Sequence, residues 1–354
     1  MTHCATSSIL TFGRSRVASL DPLLAVEDLT IDLATFRGRA RVVDRVSLTI
    51  QTGETLGLVG ESGSGKSMTA MAITRLLPRA AHVTDGQIRF EGEDLLAKSE
   101  DALQQIRGSR IAMIFQSSVM VLNPLMRVGD QIARVVRAHR PGNKTAAQDR
   151  AVEMLRQVGI SAPERVARSY PHQLSGGMIQ RAQIALMMAP QPRLLIADEP
   201  TTGLDVTTEA QIFDLLRSVQ EETNVAILLI SHDLGTVAEN CDRVAIMHGG
   251  HVVETGPTRR IFKNPQHPYT QALLGSIPRA DRAAKLDSPL RGQAPDAFLL
   301  PDIGCRFVSR CPAAMDICRM EQPPLVIVES DHTVLCQLHR PRPAMALREM
   351  HADD

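Results

Sequence analysis

One short segment constrains the fold of this chain more than any other. Residues 60–67 read Gly-Glu-Ser-Gly-Ser-Gly-Lys-Ser and fit the pattern G-x-x-x-x-G-K-[ST]. The apolar run Thr55–Val59 before them predicts a buried strand, and a helix is predicted to begin near Lys66. In such a unit the glycines let successive backbone N–H groups turn toward a phosphate, and the helix start adds the positive end of its dipole. The segment therefore predicts a nucleotide phosphate site on an α/β fold.

The residue types in this loop suggest separate tasks. Lys66 is expected to reach the β- and γ-phosphates, and the Ser67 hydroxyl is expected to ligate Mg²⁺. The alternative is a Gly/Ser-rich surface turn, which the strand before and the helix after argue against. We predict that the nucleotide is bound by Gly60, Glu61, Ser62, Gly63, Ser64, Gly65, Lys66, Ser67 and Met68.

Composition limits the class of protein. A chain of 354 residues is long enough for one large domain and a smaller one. Its 39 basic and 39 acidic side chains cancel, and eight Phe, two Tyr and no Trp offer few stacking groups, which argues against nucleic acid as a partner. No apolar stretch approaches the ~18 residues of a transmembrane helix. Arg14 and Arg16 are not followed by an apolar segment, so we expect residues 1–22 to be a flexible extension and the chain to stay in the cytoplasm.

Local patterns predict an α/β domain over residues 23–262. Alternating residues at 29–33 and 46–50 predict an antiparallel β subdomain, and the continuous apolar runs at 194–197 and 225–230 predict buried parallel strands. Further strands are expected at 88–90 and 111–115. Helices, some forming an inserted helical subdomain, are expected at 67–77, 125–140, 145–158 and 207–222. Beyond residue 262 the chain becomes rich in proline, which predicts a separate C-terminal module over residues 263–354.

Charged residues follow two of the predicted parallel strands. Asp198 and Glu199 close the strand at 194–197, at the sheet edge where the phosphate loop also emerges. Asp198 is expected to hold the Mg²⁺ shell, and Glu199 to orient or deprotonate an attacking water. His232 follows the next strand, where an imidazole can contact the γ-phosphate.

Residues 174–178, Leu-Ser-Gly-Gly-Met, resemble the signature sequence of ATP-binding-cassette (ABC) ATPases. Ser175, Gly176 and Gly177 open a helix whose start can cradle a γ-phosphate. The resemblance extends to Gln116, as a catalytic and Mg²⁺-binding residue, and to Gln180 and Asp205 at the nucleotide. In this family the signature of one subunit faces the phosphate loop of another, so that two ATP molecules lie between two cassettes. The chain has one cassette, so the resemblance implies a second ABC ATPase subunit.

The resemblance narrows to the ATP-binding subunits of dipeptide/oligopeptide and related nickel ABC importers, over about residues 24–340. The segments that carry it are 41–44, 114–116, 122–124, 197–202, 230–234 and 267–270. It implies an energy-coupling ATPase bound peripherally to the cytoplasmic face of the inner membrane, with two permease subunits and an extracytoplasmic substrate-binding protein. It also implies that residues 119–124 contact a permease, unless these apolar residues are ordinary core. Nickel import, a soluble ABC ATPase without a transport role, and an iron–sulfur redox sensor remain alternatives.

The sequence departs from the family pattern at a few positions. Gly203 stands where the family usually has alanine, and Ile179 and Pro190 are unusual beside the signature helix, so contacts across the dimer are expected to differ. The aromatic residue that stacks on adenine is also undecided. Phe36 lies at a plausible distance along the chain, whereas the aligned position holds Leu33.

Four cysteines lie in the predicted C-terminal module. Their spacing, C-x₅-C-x₆-C-x₁₇-C, lacks the C-x₂₋₄-C pairs that are usual at zinc sites. By resemblance to the peptide-importer subunits they form an iron–sulfur site, and four thiolates suit a [4Fe–4S] cluster. Zinc and reduced structural cysteines remain alternatives, and Cys4 and Cys241 are expected to be unliganded. The predicted ligands are Cys305, Cys311, Cys318 and Cys336.

Overall fold

The computed structural model describes residues 21–116, 121–140, 142–276 and 296–341. The predicted extension therefore lies almost wholly outside the described residues. The strands are β1 (Leu24–Thr35), β2 (Gly38–Ile50), β3 (Thr55–Val59), β4 (Ala81–Phe90), β5 (Glu93–Asp94), β6 (Ile111–Ile114), β7 (Leu194–Asp198), β8 (Ala226–Ser231), β9 (Arg243–His248), β10 (His251–Pro257), β11 (Leu325–Glu329) and β12 (His332–Leu335). The helices are α1 (Lys66–Ile73), α2 (Glu100–Ile106), α3 (Val128–His139), α4 (Lys144–Gln157), α5 (Pro163–Arg168), α6 (Gly176–Met188), α7 (Val206–Thr223), α8 (Leu234–Asn240), α9 (Thr258–Lys263), α10 (Pro268–Gly275) and α11 (Ile317–Met320).

The strands of the described residues form two sheets. The first is antiparallel, in the order β2-β1-β4-β5, and the second has the order β11-β12-β10-β9-β3-β8-β7-β6. In the second sheet β9, β3, β8, β7 and β6 run parallel. Every residue of β3, β7 and β8 is buried. These strands are covered on both faces, which explains their continuous apolar runs. The predicted α/β architecture with an antiparallel β subdomain is confirmed.

Two apolar cores position the nucleotide-binding edge. One joins the antiparallel sheet to one face of the parallel sheet and to α1. The other joins the opposite face to α7 and to the helical subdomain built from α3, α4, α5 and α6. The predicted helices at 125–140, 145–158 and 207–222 correspond to α3, α4 and α7 within a few residues. The helix predicted to reach residue 77 instead ends at Ile73, because Thr74 bonds back to the carbonyl of Met71 and Arg75 takes a left-handed φ of 54°.

The C-terminal strands continue the main sheet. β12 pairs with β10 in antiparallel register, Glu254 opposite Val334, and β11 pairs with β12 at the edge. The predicted separate Cys-rich module is therefore not confirmed as an independent unit. No helix among the described residues is long and apolar enough to cross a membrane.

Candidate nucleotide-binding and catalytic site

Parallel pairing places three motifs at one edge of the sheet. Val59 lies opposite Ser231, and Asp198 lies opposite Ile230. The carboxyl ends of β3, β7 and β8 are thus adjacent, and the phosphate loop, the carboxylate pair and His232 leave the sheet there. This is the arrangement expected from the sequence, because ligands of open α/β sheets bind outside the carboxyl ends of their strands.

Two glycines allow the phosphate loop to take its path. A β-carbon on Gly60 would overlap the carbonyl oxygen of Met247 in β9. Gly65 has a φ of +106°, and a β-carbon there would lie 2.7 Å from the carbonyl oxygen of Val42. Only glycine avoids both the close approach and the strained conformation. The loop is therefore packed tightly against β2 and β9 and turns directly into α1.

Lys66 points back into the loop. Its buried ammonium group donates to the carbonyls of Gly60 at 2.7 Å and Glu61 at 3.0 Å. Burial lowers the pKa of Lys66, while the carboxylates of Glu199, Asp198 and Glu61 act in the opposite direction and favour the charged form. The loop thus holds a cation at the position where the sequence predicts phosphate contact.

Asp198 and Ser67 form a pair next to the lysine. Asp198 is 5% exposed, and its carboxylate accepts a hydrogen bond from Ser67. Its Oδ1 atom is buried and has no hydrogen-bond partner among the described residues. Burial raises the pKa of Asp198, with Glu199 adding to the rise and Ser67 and Lys66 opposing it. A buried carboxylate oxygen without a partner, beside a hydroxyl, is a suitable ligand set for a hard divalent cation.

The Glu199 carboxylate is hydrogen-bonded to three side chains at this edge. It accepts from Gln116 at 2.7 Å and from Thr202 at 3.1 Å on Oε2, and Oε1 lies 3.0 Å from Nδ1 of His232. Burial raises the pKa of Glu199, but the hydrogen bonds from His232, Gln116 and Thr202 outweigh it and bring the pKa below its usual value. Glu199 is therefore an ionised acceptor at neutral pH, as a general base must be.

The structure thus brings the predicted catalytic groups together, although their roles stay predictions. Thr202, which donates to one oxygen of Glu199, was not predicted as a site residue. Its place three residues after Glu199 was visible, but the turn that folds it back was not. The groups at this edge are Lys66, Ser67, Gln116, Asp198, Glu199 and His232.

The signature segment lies on the helical subdomain. Ser175 is the N-cap of α6, and its hydroxyl accepts a hydrogen bond from the N–H of Met178 at 3.4 Å. Ser175 and Gly176 are exposed, so the start of the helix faces solvent in the single chain. Gly177 is required by packing, because a β-carbon there would lie 2.8 Å from Thr208. The exposed helix start has the geometry to accept an anion from another molecule.

Three further predicted nucleotide contacts have different surroundings. Gln180 is 1% exposed, and neither amide atom has a hydrogen-bond partner among the described residues. Asp205 caps α7 by accepting from the N–H and the hydroxyl of Thr208 at 3.0 and 2.7 Å. Met68 packs partly against the core below α1. These contacts stay predictions, and Gln180 needs a rearrangement of its buried side chain to reach a nucleotide.

The two candidates for stacking on adenine differ in exposure. Phe36 is 100% exposed in the turn between β1 and β2, whereas Leu33 packs partly against the core.

The segment predicted to touch a permease is described only from residue 121. Within it Leu122 is 1% exposed and belongs to the helical core, and nearby Leu125 is 85% exposed. Core packing therefore holds for Leu122, and positions 119 and 120 lie outside the described residues.

The four predicted cluster ligands lie near one another. All four thiols are free, and Cys305 interacts electrostatically with the other three. The backbone N–H of Cys305 donates to the carbonyl of Cys318 at 2.7 Å, and burial raises the pKa of the Cys305 thiol to about 11. However, nowhere in the described ranges are three or more His, Cys, Asp or Glu side chains arranged to hold a metal ion. The arrangement gives no support to a metal centre.

Known proteins that are similar to this chain include transporter ATPases, in agreement with a nucleotide site. The family model described as ABC transporter matches residues 43–202, and the model described as oligopeptide/dipeptide transporter, C-terminal region, matches residues 253–318. The dimeric ATP-binding cassette MJ0796, in a post-hydrolysis state bound to ADP and Pi, has a TM-score of 0.60 and 27% identity, covering 67% of this chain and 99% of that chain. The cbiO1 protein of Clostridium perfringens has a TM-score of 0.60 and 26% identity, covering 69% and 92%.

Sequence relatives match over nearly the whole length. The dipeptide transport ATP-binding protein DppD of Bacillus subtilis is 44% identical over 336 residues, covering 95% of this chain and 100% of that protein. The oligopeptide transport ATP-binding protein OppD of the same organism is 44% identical over 321 residues, covering 90% and 89%. The chain therefore belongs to the ABC transporter ATPases, in the family of dipeptide and oligopeptide transport ATP-binding proteins.

Proposed function

We propose that this chain hydrolyses ATP and couples hydrolysis to the import of dipeptides or oligopeptides. The observation that carries hydrolysis is the Glu199 carboxylate, held by three donors at the edge where Lys66 and Asp198 lie. The cargo class is inferred from the names of two relatives that cover 95% and 90% of the chain. Nickel import is the alternative that the resemblance left open.

The chain's own residues suggest how hydrolysis proceeds. Lys66 neutralises the terminal phosphates, and Glu199 accepts a proton from the attacking water. Gln116 and Thr202 hold one oxygen of Glu199, and the other oxygen, which is hydrogen-bonded to His232, has a second lone pair that can orient that water. His232 is exposed and can also contact the γ-phosphate. Mg²⁺ would be held by Ser67, Gln116 and Asp198, and it would neutralise phosphate charge there.

We infer that the exposed signature acts on the nucleotide of a second cassette. Ser175, Gly176 and Gly177 would supply N–H groups and a hydroxyl to its γ-phosphate. The dimeric state of the related MJ0796 cassette supports this inference. Mixing a Ser175→Arg variant with a Glu199→Gln variant tests this inference. If the site is shared between two chains, the mixed dimer has one site with neither substitution and should hydrolyse ATP faster than either variant alone. If each chain forms its own site, mixing should not raise turnover.

The implied assembly has two permease subunits, a second ABC ATPase subunit and an extracytoplasmic binding protein. Affinity purification of the tagged chain from membranes of its own cells should recover these partners, and mass spectrometry of the ligand on the binding protein identifies the cargo. A bound peptide supports the proposal, and nickel on that protein would favour the alternative.

A cysteine at position 120 tests the predicted permease contact. It should cross-link to a permease in the active complex, whereas failure to capture any permease there favours the alternative that residues 119–124 are ordinary core.

The iron–sulfur cluster is a separate proposal that rests on the resemblance, since the described arrangement of the four thiols does not itself support a metal centre. It has no part in ATP hydrolysis, since the residues needed for hydrolysis lie before residue 233. Protein prepared without oxygen should be brown, contain about four irons per chain, and lose them on Cys→Ser substitution. Zinc at about one per chain, or no metal, would overturn this proposal and leave the ATPase proposal intact.

A further inference from the structure

A residue inside the phosphate loop is held by the C-terminal part of the chain. The Glu61 carboxylate accepts two hydrogen bonds from the Arg310 guanidinium, at 2.7 and 2.9 Å. The side chains are 21% and 8% exposed, so the pair is largely shielded from water. The backbone N–H of Glu61 donates to the hydroxyl of Tyr269 at 3.0 Å. Glu61 is thus fixed through both its side chain and its backbone by residues more than 200 positions away.

The same C-terminal segment supports the loop by a second route. Arg306 is 6% exposed and donates to the carbonyl of Gly249 at 2.6 Å and to the carboxylate of Asp44 at 3.0 Å. The next residue, Gly250, donates its N–H to the carbonyl of Ser64 in the phosphate loop at 3.0 Å. The turn between β9 and β10 therefore connects Arg306 to the loop.

The negative charge of Glu61 opposes phosphate binding, and the positive charge of Arg310 can neutralise it. A carboxylate in a phosphate loop repels the phosphates that the loop must bind, and the repulsion is strong where water is partly excluded. The hydrogen bonds from Arg310 outweigh burial and lower the pKa of Glu61, so Glu61 is ionised at neutral pH. The carbonyl of Glu61 also accepts from Lys66 at 3.0 Å, so a shift of Glu61 reaches the phosphate-binding lysine.

We propose that Arg310 is a positioning residue of the ATP site, which neutralises Glu61 and so sets the affinity of the phosphate loop for nucleotide. The C-terminal region would then control nucleotide binding through one ion pair. This inference rests on the proposed ATPase function, but it concerns a residue outside the ATPase motifs.

The test is a two-by-two set of full-length variants: Arg310→Gln, Glu61→Gln, and both together. Isothermal titration calorimetry gives the Kd for ATP. Arg310→Gln is expected to raise this Kd about fivefold or more, because it leaves the Glu61 carboxylate of the phosphate loop without its guanidinium partner. Glu61→Gln removes that charge, so the double variant is expected to regain most of the affinity. Added salt should reduce the loss in Arg310→Gln by screening the repulsion.

A matched control lies in the same region. Arg340 pairs with Glu321 at 2.7 Å, and the two side chains are 47% and 53% exposed. Arg340→Gln removes the same charge away from the loop and is expected to leave the Kd unchanged. If Arg310→Gln lowers the thermal stability, Arg310→Lys retains the charge and should bind ATP nearly as tightly as the wild type.

The outcomes separate this inference from the proposed function. If wild type binds ATP and Arg310→Gln binds it equally well, the role of Arg310 is refuted while the ATPase proposal stands. If Arg310→Gln weakens binding and the double variant does not recover, Arg310 supports the fold only and the charge-neutralising role is wrong. If wild type itself does not bind ATP, the proposed function fails first.

Discussion

Replacing Glu199 by Gln is expected to stop ATP turnover while preserving nucleotide binding. The amide has the shape of the carboxylate, and the backbone bond from Glu199 to the carbonyl of Ile230, at 3.0 Å, is unaffected. The amide oxygen can still accept from Gln116 and Thr202, so the turn should keep its geometry. What is lost is the ionised acceptor for the proton of water.

The size of this effect follows from the role of the lost group. Loss of a general base costs about 10²–10⁴ in rate, which is about 3–5 kcal/mol of activation free energy. The ATP affinity should stay the same or rise, because one negative charge near Lys66 and the phosphates is removed. Phosphate release by the assembled transporter measures turnover, and calorimetry on the same preparation measures binding. Glu239→Gln, at an exposed position of α8, is the matched control and should hydrolyse ATP at the wild-type rate. Turnover of Glu199→Gln within tenfold of wild type would refute the assignment of Glu199 as the base.

Three further predictions test other parts of the molecule. Lys66→Ala should weaken ATP binding about tenfold or more in calorimetry, because it removes the cation facing the phosphates, and unchanged affinity would contradict the site. Burial lowers the pKa of His267 to about 3, and its Nδ1 accepts from the N–H of Tyr269. An unfolded histidine binds its proton near pH 6.5, so the contribution of His267 to the free energy of unfolding should be lost as the pH falls below 6.5 and should amount to about 2 kcal/mol by pH 5. Burial also lowers the pKa of His248 and His251, so His267→Asn should reduce the slope measured in urea by this share only, and an equal slope in both proteins would be inconsistent with the prediction. Gln183→Met should raise the free energy of unfolding by about 1–3 kcal/mol, because both amide atoms of Gln183 are buried without partners among the described residues, whereas Gln131→Met should lower it, since Gln131 bonds to Asn123 and Met126.

The sequence was sufficient to predict the parts of the site that lie at the ends of the parallel strands. Continuous apolar runs predict β3, β7 and β8, and parallel strands place the residues that follow them at one edge. Asp198, Glu199 and His232 could therefore be assigned to the phosphate loop before their distances were known.

Contacts between distant parts of the chain could not be predicted in this way. Arg310 and Tyr269 meet Glu61 across separations of 249 and 208 residues, and no local pattern encodes such a pair. The end of α1 was also misjudged, because Pro78 is a visible helix terminator, whereas the bond from Thr74 and the left-handed Arg75 are decided by the local backbone. The pairing of β12 with β10 was missed because its strands are short and follow a Pro-rich segment.

The packing near residue 262 bears on how the chain is organised. The proposed division there follows a change in composition, yet an apolar cluster crosses it. Val59 at the end of β3 belongs to the same cluster as Tyr269 and Phe307, and the two rings lie 5.4 Å apart. Residues after 262 therefore cover the strand that leads into the phosphate loop, and they also hold Glu61 from outside. The C-terminal region therefore contacts the phosphate loop at two places, although the groups proposed for hydrolysis all precede it.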